Sequence, residues 1–179
     1  AFGLVEGILA AFHYGYEIYL NQSIKTVKQS LTEQRPQNLF LVPLYVETFH
    51  RQIWGKAKKQ GKDKMLHRLM WVSDILLKAG IDLRDMLFQS VQEAFGGRLE
   101  YIICGGAALD ASYVREFRSW GIEILNGYGT TECSPCVAVN RNFYHRDGTV
   151  GVPLPDVEVD ITPDREIRVR GDIVMLGYY

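Results

Sequence analysis

Apolar residues recur at helical spacing along much of the first hundred residues, which predicts a series of amphipathic helices. Near the start, Leu4, Ile8 and Phe12 fall on one face, so we expect this helix to bury one side. The second helix must end before Pro36, because the residue that precedes a proline disfavours helical geometry. The five helices are expected at about residues 3–14, 24–31, 45–53, 66–77 and 87–95.

Short apolar runs between and after these helices predict strands. They lie at residues 16–20, 38–42, 98–104, 122–125 and 136–140. A sixth helix is expected after residue 110, where Asp110 can cap it and where Tyr113, Phe117 and Trp120 mark its inner face. Because strands alternate with helices, the predicted fold class is α/β, with a largely parallel sheet and helices on both faces.

The end of the chain follows a different pattern. Residues 157–161 and 166–170 alternate with period two around a short polar turn, which predicts a β-hairpin. Residues 151–155 resemble a linker, because they combine a glycine with two prolines. We therefore expect an α/β subdomain over residues 1–148, and over residues 149–179 a linker and a hairpin that begin a β subdomain.

The composition is that of an ordinary globular protein, since 47% of the 179 residues are hydrophobic and 23% are charged. A net charge of -1 argues against a nucleic-acid-binding protein, because it provides no basic field to attract phosphates. Apolar runs are too short to span a bilayer and three cysteines do not suggest a disulfide framework, so a cytoplasmic location is expected. The chain starts at Ala1 in helix-like sequence and stops at Tyr179 in strand-like sequence, so we expect an internal fragment of a longer protein.

A local concentration of positive charge lies between two of the predicted helices. Its five lysines are Lys56, Lys58, Lys59, Lys62 and Lys64. Such charges can attract a membrane surface or the phosphates of coenzyme A. A solvated helix face and loop is the simpler interpretation, and the question of peripheral membrane contact stays open.

Two glycine-containing loops each follow the carboxyl end of a predicted strand: Gly105-Gly106-Ala107, and the stretch from Asn126 to Glu132. In a parallel sheet these ends share one edge, where open α/β proteins bind ligands. Small residues in the first loop would let a flat ring lie against the backbone, and Tyr128 could cover its other side. The amide of Asn126 suits an adenine edge, Thr131 can donate to a phosphate, and Glu132 can hold Mg²⁺. The pattern therefore suits a nucleotide.

Two other interpretations of the second loop stay open. It could be an ordinary connection between a strand and a helix, in which Thr131 or Ser134 caps the next turn. The spacing Cys133-Ser-Pro-Cys136 also permits a redox or metal role, but structural zinc requires four ligands, and only His145 lies nearby to add to the pair. His13, His50 and His67 are isolated on predicted helices, so we interpret them as packing or surface residues.

The sequence Asn126-Gly-Tyr-Gly-Thr-Thr-Glu132 resembles the "YGxTE" signature of the AMP-forming, adenylate-forming enzymes. Further segments resemble motifs of that family in order and spacing. They are Phe2-Gly3-Leu4 after its "PxxH" segment, Val42 to Val46 at its "VPxxxE" helix start, Gly105 to Leu109 at its "GGAPL" loop, and Glu166 to Tyr179 at its "GExxVRGxxxMxGYY" run. The long helical insertion before Gly105 is most similar to long-chain fatty acid–CoA ligases. These segments span almost the whole chain.

The resemblance implies an enzyme that uses ATP to activate a fatty acid as acyl-AMP and then transfers the acyl group to coenzyme A. It implies cofactor-binding roles for Gly105, Gly106, Ala107, Asn126, Gly127, Tyr128, Gly129 and Thr130, catalytic roles for Thr131 and Glu132, and acyl-pocket positions for Phe2, Gly106 and Ala107. By the same resemblance, Asn126 would bind the adenine amino group and Tyr128 would stack on the ring. Thr131 would contact the α-phosphate, and Glu132 would be the Mg²⁺ ligand.

Several family elements are not found in these residues. The phosphate-binding "TSGTTGxPK" loop, the "YxTGD" aspartate and the catalytic lysine of the small C-terminal domain are missing, and Arg165 stands where the family usually has glycine. We therefore expect the fragment by itself to be inactive. An adenylation domain that activates an amino acid or aryl acid, and a non-catalytic nucleotide- or acyl-binding module, remain the alternatives.

Overall fold

The fold was analysed in a computed structural model, which describes residues 2–142 and 146–179, apart from the side chain of Ile24. Helix α1 runs through three consecutive stretches, Phe2–Leu4, Val5–Leu9 with π geometry, and Ala10–His13. A 3-10 turn at Ile24–Thr26 leads into α2. The remaining helices are α2 (Val27–Gln34), α3 (Pro43–Lys59), α4 (Asp63–Lys78), α5 (Arg84–Leu87), α6 (Gln89–Ala94) and α7 (Ala111–Ser119).

Five strands form one sheet in the order β1-β2-β3-β4-β5, and two more form a separate hairpin. They are β1 (Asn38–Leu41), β2 (Tyr101–Cys104), β3 (Glu123–Tyr128), β4 (Ala138–Val139), β5 (Val152–Pro153), β6 (Glu158–Ile161) and β7 (Ile167–Arg170). The first three strands are parallel, whereas β4 and β5 add on as antiparallel strands. The predicted α/β class with a parallel-rich sheet is confirmed.

The main core lies on one face of the parallel strands, under α3, α6 and α7. Its largest fully buried side chains are Trp120, Phe88, Phe95 and Phe117. Ile102 and Ile124 face this core from adjacent strands, each with no exposed surface. Asp110 caps α7 as predicted, since its carboxylate accepts a hydrogen bond from the backbone N–H of Ser112 at 2.7 Å.

The other face of the sheet is covered, among the described residues, mainly by α1. Phe40 points to this side, its ring centroid 6.1 Å from that of Phe2, and Gly7 lies directly over Phe40. The prediction that α1 buries one side is wrong, because Leu4 and Phe12 are 57% and 69% exposed.

Two strand predictions also need correction. Residues 16–20 form no strand, because among the described residues no neighbouring strand offers them a hydrogen-bonding partner. Residues 151–155 are not simply a linker, since Val152–Pro153 pairs with β4 as the last strand of the sheet. The subdomain boundary near residue 148 stays a prediction.

The hairpin of β6 and β7 forms as predicted, with Glu158 opposite Arg170 and Ile161 opposite Ile167. Arg165 adopts a left-handed conformation in its turn, with φ of 66°. Glycine fits this conformation without strain, so the position that we compared with a family glycine keeps the glycine-like geometry despite its side chain.

Candidate functional site

The two loops that the sequence placed at one sheet edge do lie side by side. Strands β2 and β3 are parallel neighbours, and Cys104 is directly opposite Asn126 in their register. Gly105 follows Cys104 and donates its backbone N–H to the carbonyl of Leu41 on β1 at 3.3 Å. The carboxyl ends of three parallel strands therefore meet at this edge, where open α/β sheets form a ligand crevice.

Two glycines shape the first loop, one through its backbone conformation and the other through close packing. Gly106 has φ of +88°, a conformation that side chains disfavour. Gly105 is buried beneath the ring of Phe2, and a Cβ added there would lie 3.2 Å from that ring. Phe2, although distant in sequence, is thus in direct contact with Gly105, and its place in an acyl pocket stays a prediction. Ala107 itself is exposed at the edge.

Asn126, Gly127 and Tyr128 lie in β3 and not in a turn, which corrects the prediction that the strand ends at residue 125. The antiparallel strand β4 causes the difference, because it pairs with Gly127 and Tyr128 and keeps them extended. Asn126 is only 8% exposed, so its side-chain amide is nearly buried. Asn126 and Tyr128 share one face of the strand, since side chains alternate.

The chain turns at Gly129 instead. A Cβ added to Gly129 would lie 1.8 Å from the carbonyl oxygen of Pro135, because the loop folds back on itself there. A short 3-10 turn over Thr131–Cys133 follows, and it ends at Ser134 in a left-handed conformation. Ser134 is therefore a C-terminal cap, and its side chain does not cap a following helix as one alternative supposed. Thr131 and Glu132 are exposed.

Glu132 is held at the edge by the last residues of the chain. The hydroxyl of Tyr178 donates a 2.6 Å hydrogen bond to Glu132 Oε1, and the backbone N–H of Met175 donates to the Glu132 carbonyl at 2.8 Å. The hydrogen bond from Tyr178 lowers the pKa of Glu132, with help from its own backbone N–H and from the hydroxyl of Thr130. The carboxylate is consequently fixed in its ionised form.

An ionised carboxylate at an open edge suits Mg²⁺, which binds one or two carboxylates together with substrate phosphates and waters. Within residues 2–142 and 146–179, no group of three or more His, Cys, Asp or Glu side chains could hold a metal ion. Glu132 therefore fits Mg²⁺ as a single protein ligand that shares the ion with a bound nucleotide. A closed structural metal site is not consistent with the described residues.

Cys136, the second cysteine of the CxxC spacing, lacks the properties of a reactive thiol. Burial is the main cause that raises the pKa of the Cys136 thiol to about 11, with a smaller effect from Glu6. Burial also raises the pKa of Cys104 to about 12. Neutral thiols are poor nucleophiles and poor metal ligands, which argues against the redox and zinc alternatives. His145, proposed as an additional ligand, lies outside the described residues.

Two residues near the edge were missed by the sequence analysis. Glu6 is the single acidic residue of α1, and partial burial raises its pKa. An acidic residue within an apolar helix was a signal that could have identified it. Tyr178 belongs to the "GYY" segment, but nothing in the local sequence connects it with Glu132, which lies 46 positions away.

A second polar cluster lies away from this edge, between α3, α4 and α7. His50 and Trp54 both hydrogen-bond to Glu116 Oε2 at 2.8 Å, beside a cavity of about 630 Å³. Burial alone would raise the pKa of Glu116, but these hydrogen bonds outweigh it and lower the pKa. The ring of His67, which is exposed, packs on Trp54 with centroids 4.3 Å apart, as expected for a packing or surface residue. His50 is not isolated as predicted, because it hydrogen-bonds to Glu116.

Comparison with known proteins gives one family for the entire chain. The sequence profile of the family described as "AMP-binding enzyme" matches residues 1–179. The chain is 32% identical over 177 residues to long-chain-fatty-acid–CoA ligase 2 of Schizosaccharomyces pombe, covering 87% of this chain and 26% of that protein. It is 29% identical to the long-chain-fatty-acid–CoA ligase FadD15 of Mycobacterium bovis, covering 96% of this chain and 31% of that ligase. The chain thus spans less than a third of these relatives.

Solved structures give the same fold. A malonyl-CoA ligase ternary product complex, with methylmalonyl-CoA and AMP bound, aligns with a TM-score of 0.60 at 26% identity, over 98% of this chain and 33% of that one. The N-terminal domain of FACL13 from Mycobacterium tuberculosis aligns with a TM-score of 0.62 at 16% identity, over 97% of this chain and 38% of that domain, which is evidence for the fold alone.

Proposed function

Because this chain belongs to the AMP-binding enzyme family, we propose that it forms one side of the adenylate site in a ligase that joins a fatty acid to coenzyme A. The observation that supports this most strongly is the register of β2 and β3, which places the Gly105–Ala107 loop beside Asn126 at one sheet edge. Membership in the AMP-binding enzyme family is established by the match over the whole chain. The fatty-acid substrate and the individual residue roles are proposals.

In this proposal the adenine ring lies between the backbone of Gly105 to Ala107 and the ring of Tyr128. The backbone approach is close because the loop presents no side chain at Gly105 or Gly106. The nearly buried amide of Asn126 would pair with the adenine amino group, because its oxygen can accept the amino hydrogen. This side of the site selects the base.

Gly127, Gly129 and Thr130 contribute by shape and orientation. The two glycines keep the backbone narrow beside the nucleotide, while the hydroxyl of Thr130 helps to lower the pKa of the Glu132 carboxyl. Thr131, exposed at the start of the 3-10 turn, donates to the α-phosphate. The turn thereby orients the groups that face the reacting phosphorus.

The proposed reaction has two steps. The carboxylate oxygen of the acid attacks the α-phosphorus of ATP, and the bond to pyrophosphate breaks, giving an acyl adenylate. The thiol of coenzyme A then attacks the acyl carbon and releases AMP, with the thiol proton passing to solvent. Mg²⁺ bound by ATP and Glu132 would neutralise phosphate charge. The chain's own contribution is positioning, which can supply much of the rate enhancement in such reactions.

A fatty acid is the proposed acyl substrate for two reasons. Relatives of 26% to 33% identity that align with most of this chain or with half of it are named long-chain-fatty-acid–CoA ligases. Phe2 and Phe40 also form an aromatic pair beside Gly105, which suits an apolar chain that enters from this side. These residues lie next to the proposed adenylate, where the carboxyl end of the acid must sit.

The intact protein provides the test. ATP–pyrophosphate exchange is measured with a panel of fatty acids, amino acids and aryl acids, and then repeated with Glu132→Ala. We expect exchange that depends on a fatty acid, and a roughly 100-fold or greater loss in the variant, comparable with the removal of one preorganised charge-stabilising group. Glu33→Ala, at an exposed position of α2, is the matched control and should leave exchange unchanged.

Two outcomes would contradict the proposal. Exchange that depends only on amino acids or aryl acids would overturn the fatty-acid assignment, and full exchange in Glu132→Ala would overturn the role of that carboxylate. A separate calorimetric titration addresses the chain in isolation, for which we propose no adenylation activity. Micromolar affinity for ATP and Mg²⁺ in residues 1–179 alone would show that this side of the site binds without the rest.

A further inference from the structure

Helix α4 has two faces of opposite character. The inward face follows heptad-like spacing and packs into the interior through Leu66, Leu69, Met70 and Ser73. The outward residues are separated alternately by four and three positions, so they form one straight stripe along the helix. This stripe consists of Lys64, Arg68, Trp71, Ile75 and Lys78, all of them exposed. We refer to it as the α4 stripe.

The middle of the α4 stripe consists of large apolar side chains that are exposed to solvent. Trp71 is 66% exposed and Ile75 is 46% exposed. Met65 and Val72 flank them, at 50% and 38% exposure. A contiguous apolar patch centred on tryptophan and bounded by charged residues is typical of an interaction surface.

The position of α4 in the fold keeps this patch at the periphery of the α/β layers. Helix α4 contacts α3, α5 and α7, and α7 in turn contacts β3. The exposed stripe lies on the helix face opposite to the buried Leu66 and Ser73.

Charge around the α4 stripe is strongly asymmetric. Residues 56–78 contain seven basic and two acidic side chains, a net charge of +5, so the remaining residues carry -6 within a chain total of -1. Of the two acids, Asp74 accepts a hydrogen bond from Ser119 on α7 and is directed to that neighbour. The apolar patch is thus flanked by cations at both ends of the helix, while the rest of the chain is acidic.

We propose that the α4 stripe docks on the surface of an anionic lipid bilayer. Tryptophan and aliphatic side chains would enter the headgroup boundary, and the lysines and arginine would pair with lipid phosphates. The helix would lie in the plane of the interface, which agrees with the finding that no described helix is long and apolar enough to cross a membrane. This inference does not depend on ligase activity, so either proposal can fail without the other.

Vesicle sedimentation of the intact protein tests the proposal. Vesicles of phosphatidylcholine are compared with vesicles that also contain phosphatidylglycerol, and we expect binding only to the anionic ones. The double variant Lys64→Glu/Arg68→Glu should bind at least about 25-fold more weakly, since each basic residue near an anionic surface contributes about fivefold. The control Lys25→Glu/Lys28→Glu makes the same charge change at exposed positions preceding and within α2 and should change binding little.

The apolar part of the proposal has its own variant. Trp71→Ser/Ile75→Ser should reduce vesicle binding by at least about tenfold, because it removes most of the buried apolar area. Both residues are exposed, so the melting temperature of the protein should remain that of the wild type. Equal binding of the wild type to neutral and anionic vesicles would overturn the proposal. So would wild-type binding by both Lys64→Glu/Arg68→Glu and Trp71→Ser/Ile75→Ser.

The alternative occupants of the stripe are another part of the intact protein and a second copy. Hydrogen exchange of α4 distinguishes them: exchange that slows only when anionic vesicles are added supports the bilayer. Protection of the outward face without vesicles, or a dimer that Trp71→Ser dissociates, would overturn the proposal in favour of a protein contact.

Discussion

The two halves of the candidate site are held in place by different means. The strand half, Asn126 to Tyr128, is fixed by sheet pairing on both sides, with Cys104 opposite Asn126 and Ala138 opposite Tyr128. The turn half, Gly129 to Glu132, is exposed and depends on its own tight turn and on contacts from Met175 and Tyr178. A rigid half suits a base that stays fixed during reaction, while an open half suits phosphates and a metal ion that must enter and leave.

The largest expected effect is a difference in stability between two glycine variants at the junction of the strand half and the turn half. Gly129→Ala places a Cβ 1.8 Å from the Pro135 carbonyl oxygen, whereas in Gly127→Ala the nearest atom lies at an ordinary 3.6 Å. We expect Gly129→Ala to destabilise the local structure by about 3 kcal/mol or more, the upper range for overpacking. Gly127→Ala should cost less than about 1 kcal/mol.

Hydrogen exchange of the backbone amide of Val137 measures this difference. That amide donates to the carbonyl of Tyr128 at 2.9 Å, so it reports local opening of the junction. Faster exchange in Gly129→Ala and nearly unchanged exchange in Gly127→Ala are expected. Similar behaviour of the two variants would contradict the close packing of Gly129 on Pro135.

The next effect concerns the strand half alone. Tyr128→Ala removes the ring proposed to stack on adenine, and we expect ATP affinity of the intact protein to fall roughly tenfold or more, the usual loss for one base–aromatic stack. Tyr128→Phe keeps the ring and should retain most of the affinity. Calorimetric titration with ATP measures both, and an equal loss in the two variants would assign the effect to the hydroxyl and contradict stacking.

The smallest effect concerns the turn half. Tyr178→Phe removes the hydrogen bond to Glu132 Oε1, while Tyr179→Phe removes a hydroxyl from a neighbouring, fully exposed ring. We expect the Mg²⁺ concentration needed for ATP binding to rise several-fold in Tyr178→Phe only, because its hydroxyl orients the carboxylate. Affinity for ATP without Mg²⁺ should not change. A loss that is independent of Mg²⁺ would show that Tyr178 has only a structural role.

The position of the strand half at the sheet edge could be predicted from the sequence, because it follows from local patterns. Alternating strands and helices imply parallel neighbours, and this was sufficient to bring the Gly105 loop and Asn126 to one edge. The same reasoning gave the core side chains of α7, since Phe117 and Trp120 are fully buried as the spacing indicated.

The end of the strand half and the contacts of the turn half could not be predicted in the same way, because distant residues determine both. Asn126 and Gly127 have the composition of a turn, but the antiparallel strand β4 holds them extended, and tertiary pairing overrides local preference. The contact of Tyr178 with Glu132 joins residues 46 positions apart. Exposure of α1 likewise depends on how much surface the rest of the molecule offers it.

The most direct test of the proposed site is a crystal structure of the intact protein with a non-hydrolysable acyl-adenylate analogue. We expect the adenine ring between the Gly105–Ala107 backbone and Tyr128, with its amino group on the Asn126 amide and its phosphate mimic beside Thr131. An analogue bound away from the edge formed by β2 and β3, or an adenine that contacts neither loop, would contradict the proposed adenylate site.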